Sequence, residues 1–245
     1  MILILCHLHD ADARWLYQRL QRATSPESVA IISTDELLYA HRIQHTVSPS
    51  GVDFRFHLQN GRILEKKDLS LVINRLCYID PLIWKWVGTQ QYQYVSQELN
   101  ALYLSLLHAL TAIPLYNPPT ATWLGGRHLS PAEWQLLALR LELPIPPNWP
   151  PADEPAQPDQ RVLIVDGQLL GELPTGISLA SCQQLAGQSG MPLLELQFTD
   201  AVFVQATPMP LLQPYGTDII DYLLTSTANG THLGHTERIA HSTPA

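Results

Sequence analysis

The chain has 245 residues, 46% of them hydrophobic, so it can bury one large core or two small ones and is not expected to be disordered. Its formal net charge of -8 argues against nucleic acid and anionic membranes as partners, since both demand basic patches. Charged residues amount to only 15%, with twenty prolines helping to fill the gap, which describes a surface that is neutral or covered by a partner.

Ile2 to Cys6 is a continuous apolar run without a basic lead, and predicts a buried first strand and no signal peptide. Asp10 or Asp12 can cap the next helix, whose apolar face carries Ala13, Leu16, Tyr17 and Leu20. Val29 to Ile32 predicts a second strand. Asp53 to Leu58 alternates and is followed by Asn60-Gly61, a hairpin signal. Leu71 to Ile73 predicts a buried strand ending at Asn74 and Arg75. A long helix is expected from about Tyr92 to Leu110, where Val95, Leu99, Leu102, Leu106 and Ala109 recur at helical spacing. Ile113 to Tyr116 reads as a strand stopped by Asn117-Pro118-Pro119. This alternation is the grammar of an α/β protein with a largely parallel, helix-covered sheet.

Ser130, Pro131 and Glu133 form a capping box with proline at the first helical position, opening a helix that ends near Leu141. Residues 144–160 hold seven prolines without periodicity and mark the domain boundary. Beyond it, Val162 to Val165 and Leu169 to Leu173 flank an Asp166-Gly167 turn as a second hairpin. Ser178 caps a helix to about Gln188. Strands at Leu193 to Phe198 and Val202 to Ala206 precede a helix from about Thr217 to Leu224. Past Thr227 a mobile tail is expected, and its His232, His235 and His241 have no companion ligands at metal spacing. No stretch is long and apolar enough to span a membrane, and Cys6, Cys77 and Cys182 read as reduced thiols in apolar runs; a cytoplasmic location is expected.

The candidate sites follow from chemistry. No lysine occurs after Lys85, and from Leu141 onward only Arg161 and Arg238 are basic, against eleven acidic residues. A site for a nucleotide triphosphate needs more cations than that. His7, with His9 and Asp10, ends the first strand, where open parallel sheets place ligands; these side chains could hold a transition metal or merely finish the strand. Asn74 and Arg75 end another strand at the same edge, where Arg75 could fork onto a carboxylate or phosphate, or form a structural ion pair with the Asp35-Glu36 turn. Gly125-Gly126-Arg127 is either an anion cradle or a connector. Trp84, Trp86, Tyr92 and Tyr94 suit an interface or a core. The rigid apolar loop with Met209, Leu211, Leu212 and Tyr215 closes over, or fills, the neighbouring site.

The order of elements and the residues at their joints resemble the ATP-grasp superfamily. Ile113 to Pro119 resembles the strand leading into its Asn-Pro joint, Ser130 to Pro147 the helix before its Gly-Leu-Pro-x-Pro turn, and Arg161 to about Leu224 the C-terminal half of its core. The resemblance implies an α/β chain with a Rossmann-like pre-ATP-grasp domain at 1–125, a connecting helix at 126–143, the proline-rich linker at 144–160, a truncated core module at 161–227 and a tail at 228–245. It also marks departures. The linker stands where the family carries its lysine-bearing lid. The positions holding two magnesium ions fall on Gln197, Gln205 and Thr207, with only Pro208 retained and Glu195 two residues before Gln197 on the same face. Neutral side chains cannot offset the dehydration of a hard cation. The expectation is therefore a catalytically degenerate protein without cofactor or metal, acting as a binding, regulatory or scaffolding subunit. Its partner is expected to be another protein or a second copy. The alternatives are an active ATP-dependent carboxylate–amine ligase using Arg75, Arg127, Arg161 and Glu195, and a small-ligand module around His7, Asn74, Arg75 and Asn117.

Overall fold

The computed structural model describes residues 1–49, 51–78, 88–121, 123–147 and 157–229. Trp84, Trp86, the middle of the proline-rich stretch and the tail histidines lie outside them. Among the described residues the chain is a mixed α/β protein with one parallel and two antiparallel sheets.

Strands β1 (Ile2–Cys6), β2 (Val29–Ser33), β6 (Leu71–Asn74) and β7 (Leu115–Tyr116) form a parallel sheet in the order β2-β1-β6-β7. Between β2 and β6 the chain makes the short helix α2 (Thr34–Leu38) and an antiparallel sheet of β3 (Arg42–Ser48), β4 (Gly51–His57) and β5 (Ile63–Glu65). The expected hairpin at Asn60-Gly61 joins β4 to β5. β3 was not expected from sequence: it is an exposed edge strand whose alternation consists of Ile43 and Val47 alone, with His45 between them.

Helix α1 (Ala11–Ala23) starts at Asp10, whose side chain accepts the Ala13 N–H. It covers one face of the parallel sheet through Ala13, Leu16 and Leu20. Helix α3 (Thr89–Leu110) covers the other face, packing Tyr103, Leu106, Leu107 and Leu110 with Phe54 and Phe56 of β4. These helices bury rows of Val, Leu and Ile from the strands, at about 1.5–3 kcal/mol for each fully buried large aliphatic side chain.

Helix α4 (Pro131–Arg140) opens with the expected capping box, Ser130 and Glu133 each bonded to the other's backbone. The second antiparallel sheet has the order β11-β10-β8-β9, built from β8 (Gln160–Val165), β9 (Gln168–Leu170), β10 (Leu193–Thr199) and β11 (Val202–Thr207). Helix α5 (Leu179–Ser189), capped by Ser178, joins α4 on one face of this sheet over Val162, Ile164, Leu194, Leu196 and Phe198. Helix α6 (Gly216–Asn229) lies on the other face. Its Ile219, Ile220 and Leu223 share a core with α1, β1 and the inward residues Leu163, Val165 and Leu193. One apolar layer thus joins both halves of the chain. The Tyr116 and Tyr222 hydroxyls reinforce it, both donating to Asp166 at the β8–β9 turn, at 2.7 and 3.1 Å.

Candidate functional site

β1 and β6 are parallel neighbours, so the residues leaving their C-terminal ends lie side by side. Arg75, only 4% exposed, forks onto Asp10 through Nε at 2.7 Å and Nη2 at 3.3 Å. Its Nη1 donates to the Pro210 carbonyl at 3.0 Å. The partner in the Asp35-Glu36 turn considered from sequence is not the one used. That turn follows β2, which lies across β1 from β6, and Glu36 is committed to its own capping box with Ser33. Asn74 bridges two loops, donating to the carbonyls of Asn117 at 2.9 Å and Leu124 at 2.6 Å.

Asn117 follows β7 in the left-handed conformation, φ 57°, which asparagine tolerates better than most residues. Its side-chain amide donates to the Pro208 carbonyl. Asp12, one residue into α1, accepts the N–H groups of Leu212 at 2.8 Å and Gln213 at 3.1 Å. Asn74, Arg75 and Asn117 are therefore brought together at one sheet edge, and Arg75 and Asn117 grip the protein's own backbone at 208–213. We call this segment the strap. The role of Asp12 was not visible in sequence, because it contacts residues two hundred positions away.

The strap connects this edge to the floor of the second sheet. On the β10 face that carries Leu193 inward, the next two residues are Glu195 and Gln197, 0% and 6% exposed. Register places Gln197 between Arg161 of β8 and Gln205 of β11, and Glu195 opposite Thr207. A hydrogen-bonded ladder results. Gln205 donates to Gln197 at 2.9 Å, Gln197 donates to Glu195 at 2.6 Å, and Arg161 Nη1 donates to the same carboxylate oxygen at 2.9 Å. The other Glu195 oxygen accepts the Leu211 N–H at 3.0 Å and the Tyr215 hydroxyl at 3.4 Å. Burial first, and then the neighbouring Glu195, push the Tyr215 hydroxyl well above the ordinary tyrosine value, so it stays a donor.

Above this floor lies a cavity of about 390 Å³, walled by Trp134, Leu129, Met209 and Leu211, with His128 at its side. Among the described residues, Arg161 is the only lysine or arginine lining it, and Glu195 the only carboxylate. A magnesium ion requires several anionic or carbonyl oxygens free to turn toward it. Here a single carboxylate already accepts four hydrogen bonds, and the Gln197 carbonyl accepts one from Gln205. This donor set does not fit a hard dication. Met209 and Leu211 of the strap line the cavity, so the loop narrows it without filling it.

The remaining candidates are placed elsewhere. His7 accepts the Cys77 N–H on Nε2 at 3.1 Å and lies against the Tyr78 ring. Asp10 is engaged by Arg75 and α1, and no three His, Cys, Asp or Glu side chains among the described residues gather into a metal-sized group. Tyr94 is 63% exposed and Tyr92 half-buried. Burial pushes the Cys6 thiol up to about 12, so it remains un-ionised.

Arg127 is exposed, its Nη1 3.5 Å from the Gln188 carbonyl. The glycines before it are needed for space. A Cβ on Gly125 would sit 2.8 Å from the Leu76 carbonyl oxygen, and one on Gly126 would sit 2.5 Å from the Met191 sulfur, at φ +104°. Gly126→Ala is accordingly expected to destabilise by about 2 kcal/mol through strain and overpacking, read as a lower urea midpoint at unchanged slope.

No protein-family model and no curated protein sequence matches the chain. Solved structures do. The chain is similar to macrocyclase MdnB from Microcystis aeruginosa MRC, at 16% identity and TM-score 0.57 over 91% of this chain and 98% of that one. It is similar to ATP-grasp ligase PsnB complexed with a minimal precursor, at 12% identity and TM-score 0.64 over 94% and 99%. A third is the Chryseobacterium gregarium RiPP-associated ATP-grasp ligase in complex with ADP and a leader and core peptide, at 12% identity and TM-score 0.65 over 93% and 95%. Identities this low speak to architecture, and the architecture is that of an ATP-grasp-like fold.

Proposed function

We propose that this chain is a catalytically degenerate ATP-grasp-like protein that acts by binding a peptide or protein partner, as a regulatory or scaffolding subunit of a biosynthetic assembly. The finer architecture in this proposal is a Rossmann-like parallel-sheet domain over 1–125 and a truncated grasp core over 161–227, without a lid. The observation that carries the reading is the ladder Arg161–Glu195–Gln197–Gln205. It places amides against the one carboxylate of the cavity floor and uses up both of that carboxylate's oxygens. With Arg161 the one lysine or arginine among the described residues that line it, the floor has little to neutralise charge developing in phosphoryl transfer. The peptide partner is suggested by neighbours solved in complex with a minimal precursor and with a leader and core peptide.

A thermal-shift titration with ATP, with and without magnesium, tests this. No shift is expected in either arm. A ligand at a hundredfold its dissociation constant adds about 2.7 kcal/mol, or roughly 5–10 °C for a chain of this length. A magnesium-dependent rise of that size would overturn the degenerate reading and turn the search to substrates for the second reading, an active carboxylate–amine ligase, which the ligases among the structural neighbours favour. A small-ligand site at His7, Asn74, Arg75 and Asn117 requires the strap to leave that edge.

A further inference from the structure

The antiparallel sheet of β3, β4 and β5 ends at β3, which pairs with β4 alone among the described residues. Alternate N–H and C=O groups along its seven residues therefore face away from the sheet. Its two faces differ. Ile43, His45 and Val47 lie opposite Phe56, Phe54 and Val52, on the side that meets α3, where His45 bonds Ser105 at 3.0 Å. Val47 is 70% exposed and Ile43 36%, so this rim of the sheet is apolar and uncovered. Arg42, Gln44 and Thr46 lie on the opposite face, across from His57, Arg55 and Asp53. There, Gln44, Thr46, Asp53, Arg55, Glu65 and Lys67 line a concavity of about 280 Å³.

Charge sets this sheet apart. Residues 41–68 carry five cations (Arg42, Arg55, Arg62, Lys66, Lys67) and three acids (Asp53, Glu65, Asp68), a balance of +2 in a chain whose total is -8. Arg55 and Lys67 both pair with the Glu65 carboxylate and Asp53 lines the same concavity, so the excess positive charge on this face is that of Arg42.

We propose that β3 is a docking edge for an extended acidic peptide that adds as a fourth strand, with acidic and apolar residues alternating. Main-chain bonds to β3 supply affinity, and the two-residue period of a strand supplies the pattern. Acidic side chains lie over the Arg42–Gln44–Thr46 face, and apolar ones cover Ile43 and Val47. The proposal rests on the reading of this protein as a peptide binder, and it names the surface and the chemistry of the peptide.

The test uses the full-length protein and the fluorescein-labelled hexapeptide Glu-Val-Glu-Val-Glu-Val, acetylated and amidated, followed by anisotropy. Saturable binding is expected, weakened about tenfold by Arg42→Glu and again by raising salt from roughly 50 to roughly 500 mM. Val47→Asp should weaken it similarly, and the matching Lys-Val peptide should not bind. Both substituted residues are exposed, and unchanged melting temperatures would confirm that the variants fold. No saturable binding, or binding indifferent to both variants, overturns the proposal and leaves the cations as a guard against edge pairing. That failure would not touch the nucleotide titration, and a magnesium-dependent ATP shift would leave this docking edge standing.

Discussion

Glu195→Ala is expected to destabilise the protein by about 3–5 kcal/mol, lowering the melting temperature by roughly 10 °C. The wild-type carboxylate is fully buried and accepts from four donors on three separate segments. Removing it leaves the Gln197 amide, the Leu211 N–H and the Tyr215 hydroxyl without an acceptor, each at a penalty of about 1–3 kcal/mol. Arg161 loses less, because its side chain is 29% exposed and can return to water. Glu195→Gln should also destabilise, by a smaller amount of about 1–3 kcal/mol. All four partners are donors, so an amide nitrogen in this place must face one of them. Thermal unfolding by circular dichroism checks both variants. If Glu195 were kept for chemistry at the expense of stability, either variant would melt at or above the wild-type temperature.

What could be read in the sequence was what local chemistry dictates. The Ser130–Glu133 box, the Ser178 cap and the Asn60-Gly61 turn each need only neighbouring residues, and each lies where it was expected. In α3, spacing placed Leu99, Leu106 and Ala109 on the packed face but missed Tyr103 and Leu107, which are fully buried there, while Val95 and Leu102 stay outside the core cluster. β3 was not legible, because its alternation is carried by only two apolar residues, Ile43 and Val47, and both are exposed. α2 was missed for another reason: five residues carry less than two turns of periodicity, although its Ser33–Glu36 box was there to be found. For the candidate site, Glu195 and Gln197 could be placed on one face because a strand's period is two, whereas Gln205 lies on another strand. Their bonding to each other depends on the register of three strands, which residue types do not specify. Arg75 marks the limit most clearly. Its burial could be guessed from the strand it ends, but its partners could not, since Pro210 is 135 residues away.

Arg75→Ala should be comparably damaging, at about 3–5 kcal/mol, because it strands the Asp10 carboxylate and the Pro210 carbonyl at a nearly dry sheet edge. Asp10 would keep its bond to the Ala13 N–H, so α1 would hold and the loss would concentrate on the strap. Arg75→Lys should recover little, since an ammonium cannot span both Asp10 oxygens and the carbonyl as a planar fork does. Hydrogen exchange at Leu211 and Leu212 separates the roles of this residue. If Arg75 holds the strap, those amides exchange faster in the variant, well before global unfolding. If its function is to receive an external ligand, the melting temperature should stay within a few degrees and both amides should remain protected by Glu195 and Asp12. The first outcome is expected. A segment whose backbone is gripped by Asn117, Arg75, Glu195 and Asp12 fastens the parallel sheet to the floor of the cavity. Loosening any one of them should then lower the protection of the whole strap.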